Sequence, residues 1–182
     1  MAITRHTISL FVENHPGVLV RVAGLFSRRG YNIESLAVGP TERPQYSRMT
    51  IVVSLDSKPV TQLIRQVQKL VPVVEVAELA PEASVDRELM LVKVSASPAT
   101  RAEVRELIGI FRARIVDVSS ESLMIEATGT PDKLDALEKN LAPYGIQELC
   151  RTGRIALERG PKSLPGVSLQ AQHEHEHEEE DE

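Results

Sequence analysis

The chain has 182 residues, enough for one ordinary domain or two small ones, and a hydrophobic content of 42% that can supply packed cores. No apolar run reaches the ~18 residues of a membrane span, the start lacks a secretory-signal pattern, and the single Cys150 rules out an intrachain disulfide or a Cys-rich zinc site. The net charge of −5 belongs to the end of the chain: the last ten residues hold seven of the 26 acids, leaving 19 against 21 basic residues, with no basic stripe and no Trp to suit a nucleic acid. These features indicate a cytoplasmic protein with neither membrane nor nucleic acid among its partners, and Cys150 reads as a small buried hydrophobe.

Residues 6–12 alternate and then turn apolar, as a half-buried strand should. They run into the polar turn Glu13-Asn14-His15-Pro16-Gly17. Beyond Pro16, which is pre-set for an early helical position, Val18, Val22, Leu25 and Phe26 recur on one helical face. Gly30 falls where a helix end needs a positive φ, and Asn32 and Ile33 open a returning strand that continues to Val38. Residues 39–44 make a turn, and residues 46–55 a third strand with Met49, Ile51, Val53 and Leu55 on one face. A second helix from Pro59 carries Val60, Leu63, Ile64, Val67 and Leu70, and Val73 begins a fourth strand. The order βαββαβ predicts a ferredoxin-like α+β domain over residues 3–80, one antiparallel sheet with two helices on one face.

After a linker at 81–86 the order repeats over residues 87–160. Residues 88–95 read as a strand, and Ser97-Pro98 as a cap and first helical residue before Val104, Leu107, Ile108 and Phe111. Residues 115–118 and 123–127 flank a polar turn. Thr130-Pro131 opens a helix carrying Leu134, Leu137 and Leu141, and Gly145 ends it before a strand at 146–150. Residues 161–182 read as a disordered acidic His/Glu tail, in which His173, His175 and His177 alternate with Glu and could hold a transition metal only loosely.

The chemistry lies in the first turn. A helix opening leaves its first amides unpaired and carries the positive end of the helix dipole, so it can hold a carboxylate without Lys or Arg. Asn14 is placed to accept from the following amides as an N-cap or Asx-turn residue, and Gly17 has no Cβ to keep a ligand away. The same pattern serves any tight turn into a helix, so the residues by themselves leave both readings open. Nothing in the second half matches Asn14-x-x-Gly17 with its later Asn32. Ligand capture is therefore assigned to the first half and assembly to the second.

Residues 8–79 resemble an ACT domain, and Gly30-Tyr31-Asn32-Ile33-Glu34-Ser35-Leu36 with Ser47-Arg48-Met49-Thr50-Ile51 resembles specifically the small regulatory subunits of acetolactate (acetohydroxyacid) synthase. The resemblance continues through Arg87-Glu88-Leu89-Met90-Leu91-Val92-Lys93-Val94 and residues 111–118, and spans residues 3–160. It implies a homodimer through the ACT domains that binds a branched-chain amino acid, such as valine, between protomers. The effector residues would be Asn14, His15, Pro16, Gly17, Val18 and Leu19 from one protomer and Asn32 and Ile33 from the other. It also implies activation and feedback inhibition of a separate catalytic subunit, where thiamine diphosphate, Mg and FAD are expected. No cofactor and no catalytic residue are expected in this chain.

The folded body holds only His6 and His15, with no nucleophile elbow, P-loop or long Gly-rich turn, and His15 has no partner carboxylate at a fixed helical spacing, which favours a solvated loop histidine. The alternative function is a stand-alone ACT-type amino-acid sensor of another pathway, for which the second half would be superfluous.

Overall fold

The computed structural model describes residues 4–55 and 60–164. Two compact units divide between Val85 and Asp86, and residues 156–164 group with the first. In the first unit β1 (Thr4–Glu13), α1 (Val18–Arg28), β2 (Ile33–Pro40), β3 (Tyr46–Leu55), α2 (Val60–Val67) and β4 (Val73–Leu79) follow in order. The sheet order is β2-β3-β1-β4, and each pairing is antiparallel. This is the ferredoxin-like arrangement that the element order predicts, with Pro59 outside the described residues.

The register explains the core. Ile8 sits opposite Ile51 and Leu10 opposite Met49, so the two central strands put Ile8, Leu10, Val12, Met49, Ile51 and Val53 on one face. Val18, Val22, Leu25 and Phe26 of α1 and Leu63 and Val67 of α2 close over them, each buried. A fully buried side chain of this size contributes about 1.5–3 kcal/mol.

Helix α1 ends as its sequence dictates. Gly30 takes φ 70, its amide donates to the Ser27 carbonyl and that of Tyr31 to the Phe26 carbonyl, both at 3.0 Å. This is a Schellman closure, and its hydrophobic contact is the edge-on pair of Phe26 and Tyr31, with ring centroids 6.3 Å apart.

The helix-free face of this sheet is also closed. Ser9, Phe11, Thr50 and Val52 are buried there, and the Phe11 ring lies 4.8 Å from that of Tyr46. Arg48 spans this face: Nη1 donates to the Ser9 hydroxyl at 3.1 Å, and the other terminal nitrogen donates to the Leu164 carbonyl. Burial lowers the pKa of its guanidinium from the ordinary value, while Glu42 and Glu75 act against that loss.

The second unit contains β5 (Ser84–Ser95), α3 (Arg101–Ile110), β6 (Arg114–Val118), β7 (Ser122–Gly129), α4 (Pro131–Leu141) and β8 (Ile146–Arg151). The order β6-β7-β5-β8 repeats that of the first sheet; β9 (Ile155–Glu158), which beyond Ile155 groups with the first unit, pairs with β5. Met90, Val92, Val94, Leu123 and Ile125 pack under Val104, Ile108, Leu134, Leu137 and Leu141.

Several local expectations change. A single turn of 3-10 helix at Pro81–Ala83 takes the first half of the expected linker, and β5 starts directly after it and takes the rest. Helix α3 begins at Arg101 rather than Pro98, because the Ser97 carbonyl takes the amides of both Thr100 and Arg101 and holds residues 98–100 as a turn. Cys150 is exposed rather than buried, since Leu149 packs towards the helices and the next residue of an edge strand must face the other way. The acidic tail lies, from residue 165, outside the described residues.

Candidate functional site

Strand β1 delivers the chain into the turn at Glu13, whose amide donates to the Pro72 carbonyl at 2.9 Å. The Asn14 amide then donates to the Gln45 carbonyl at 2.8 Å, and its Nδ2 to the Pro44 carbonyl at 3.0 Å. Asn14 therefore ties the turn to the loop between β2 and β3 and does not cap α1. Its partners are thirty residues away in the chain, which local spacing does not reveal.

The helix opening itself has no side-chain cap and no acidic residue in its first turn. Gly17 stands at the N-cap position with φ 90 and ψ −12, a left-handed conformation that suits glycine, and a Cβ there would meet nothing within 4 Å. The first helical bond runs from the Arg21 amide to the Gly17 carbonyl at 3.0 Å. Residues ahead of Arg21 are thus the ones whose amides a helix leaves to solvent or ligand. Val18 anchors the opening by burial, whereas Asn14, His15, Pro16, Gly17 and Leu19 are exposed.

His15 does have a carboxylate partner. Its Nε2 lies 2.9 Å from Glu13 Oε2 and its Nδ1 3.0 Å from the Pro16 carbonyl. A helical spacing would not find this pair, because Glu13 and His15 are i and i+2 across a strand end. The bend that follows β1 brings the two side chains together.

Asn32 and Ile33 sit at the other end of α1, Asn32 exposed and Ile33 half-buried against the core. The eleven residues of α1 span about 16 Å at 1.5 Å per residue, so one chain does not bring the two candidate sets together. Residues 14–19 form one contiguous surface and residues 32–33 a second.

The corresponding opening in the second unit is built differently. The Arg101 guanidinium donates to the carbonyls of Ala96 at 2.9 Å and of Ser119 and Ser120, each at 2.7 Å, and Glu103 occupies the first turn of α3. That opening likewise has no side-chain cap, but it carries an acidic residue in its first turn. Elsewhere in this unit Arg151 bonds Asp135 at 2.7 Å and Glu138 at 2.9 Å, with buried Glu88 at 3.8 Å. The cluster ties β8 to α4 and β5, and serves packing. Among the described residues no three His, Cys, Asp or Glu side chains gather as a metal site, and no helix is long and apolar enough to cross a membrane.

Comparison with known proteins agrees with both halves of this description. Residues 8–75 match the model of the acetohydroxyacid synthase small subunit-like ACT domain, and residues 87–160 match that of the small subunit of acetolactate synthase. The acetolactate synthase small subunit of Mycolicibacterium smegmatis is 53% identical over 159 residues, covering 87% of this chain and 94% of that one. A probable acetolactate synthase small subunit of Archaeoglobus fulgidus is 57% identical over 158 residues, 87% of this chain and 99% of its own length. The crystal structure of the acetolactate synthase small subunit from Thermotoga maritima superposes with a TM-score of 0.82 at 42% identity, covering 87% of this chain and 99% of that chain. The chain belongs to the family of acetolactate synthase small subunits, with an ACT domain as its first unit and the family's C-terminal domain as its second.

Proposed function

We propose that this chain is a non-catalytic regulatory subunit in branched-chain amino acid biosynthesis. It activates a catalytic acetolactate synthase subunit and makes it sensitive to feedback by valine or a related branched-chain amino acid. The observation that carries this reading is the uncapped opening of α1, where Gly17 leaves open space and neither a capping nor an acidic side chain competes for the amides. A ligand carboxylate fits such an opening, whereas Glu103 sets a like charge in the first turn of α3.

The separation of residues 14–19 from residues 32–33 along α1 supports a site completed by a second copy. Pairing α1 antiparallel with its twofold mate sets each Gly17 end against the partner's Asn32 end. Two further features support that pairing: Leu19 and Val20 of α1 are 42% and 75% exposed, and β2 is an edge strand carrying Val38 at 46%. An effector that bridges two protomers biases how they pack, and couplings of about 1–3 kcal/mol are typical of such devices.

The pyruvate chemistry, with thiamine diphosphate, Mg and FAD, belongs in this reading to the catalytic chain, and the whole complex acts in the cytoplasm. The test is reconstitution with the cognate catalytic subunit. The expected outcome is higher synthase activity that valine, leucine or isoleucine reduces. A mixture that shows neither activation nor effector sensitivity would refute the proposal, and a catalytic chain that fails to co-purify would favour a stand-alone sensor.

A further inference from the structure

The ring of His15 faces an acceptor on each side. Nδ1 lies 3.0 Å from the Pro16 carbonyl and Nε2 2.9 Å from a Glu13 carboxylate oxygen. A neutral imidazole carries one N–H and can serve one of these acceptors, whereas the imidazolium carries two and serves both. We propose that His15 is a proton-operated clamp on the effector turn, which tightens the grip of the α1 opening on a carboxylate ligand as pH falls. The inference rests on reading that turn as the effector site.

Two effects act in the same direction. Protonation completes the bridge from the last residue of β1 to the carbonyl immediately before Gly17, fixing the turn in the form that opens the helix. It also places a positive charge two residues from Gly17, beside the positive end of the α1 dipole, where an arriving carboxylate gains from both.

Glu13 is the carboxylate that faces the ring, and its side chain and that of His15 are each about half exposed. The adjoining β2–β3 turn carries Glu42 and Arg43, the first turns of α1 carry Arg21, and β4, paired with β1, carries Glu75. Histidine is the side-chain type whose charge ordinarily changes between pH 5 and 8, and His15 is the one histidine among these groups. His6 lies seven residues back along β1 from Glu13, about 23 Å at 3.3 Å per residue, where Glu78 faces its Nδ1 at 2.6 Å.

Calorimetric titration of L-valine, L-leucine and L-isoleucine into the full-length protein at pH 6 and pH 8 tests the clamp. The wild-type dissociation constant is expected to be about two- to fivefold lower at pH 6, the scale of one exposed charge pair. His15→Gln removes that difference, and Glu13→Gln reduces it. A His15→Gln protein that keeps the wild-type difference overturns the clamp, as does wild-type binding that is equal at both pH values; in those cases the effector reading still stands. No binding of any of the three amino acids at either pH overturns the effector reading itself, and the clamp with it.

Discussion

Gly17 is the residue on which the turn into α1 depends, for two separable reasons. Its φ of 90 is strained for any residue with a Cβ, at a cost of about 1–2 kcal/mol, although the space around it is open. Gly17→Ala should therefore lower stability by about 1 kcal/mol in thermal or urea unfolding without a clash. Gly17→Asp adds a carboxylate where the effector's own is expected. It should abolish inhibition in the reconstituted complex while leaving activation largely intact, and retention of inhibition would count against the turn as the site.

Arg151 makes the opposite kind of prediction, since it serves the fold and not the ligand. Its replacement by Ala leaves Glu88 buried with weaker compensation and loosens Asp135 and Glu138, and should destabilise the second unit by about 1–3 kcal/mol. Urea unfolding reads this directly, and valine affinity should not change. Asn14 shows where residue-level reading of sequence stops. Its type marks a turn, but its bonds run to Pro44 and Gln45, a tertiary pairing invisible to spacing.

At the scale of elements, most of the plan is legible because the hydrophobic period is clean. Val18, Val22, Leu25 and Phe26 announce α1, Pro131 starts α4 at its first residue, and the β1–β3 register follows the alternation of both strands. Where the sequence misleads, a tertiary bond overrides a local signal. Ser97-Pro98 has the form of a cap and helix start, yet the start moves to Arg101, whose guanidinium reaches the carbonyls of Ser119 and Ser120 in the β6–β7 turn. Strand β9 is four residues long, and its partner β5 lies some sixty residues earlier, so no local pattern marks it.

The Schellman closure at the end of α1 is the element whose removal is most informative. Tyr31→Ala deletes the ring that packs on Phe26 at the C-terminal closure, and should cost about 3 kcal/mol in unfolding free energy. Because Asn32 follows immediately, the same change should weaken effector binding; Asn32→Ala should weaken binding with little loss of stability. A large fall in melting temperature for Asn32→Ala would assign that residue to the fold instead.

At the scale of the whole molecule, two units share one topology, but only the first has a leading helix with no acidic residue in its first turn. The difference comes from side chains: α3 carries Glu103 in its first turn, while α1 offers Gly17 and exposed Leu19. If the site is shared between copies, a charge on the exposed side of α1 should damage assembly and effector binding together. Val20→Arg should raise the dimer dissociation constant at least about tenfold, as loss of a buried apolar contact at an interface commonly does. Sedimentation velocity across a concentration series would follow this, and an unchanged dimer would remove α1 from the interface.

The most direct measurement is a 15N–1H correlation spectrum of the full-length protein recorded during titration with L-valine. The expected result is that the largest shifts fall on the amides of Gly17, Val18 and Leu19, with a second group at Asn32 and Ile33 and no response at the α3 opening. Shifts confined to other residues, or a spectrum unchanged at millimolar valine, leucine and isoleucine, would contradict the claim that the opening of α1 holds the effector's carboxylate.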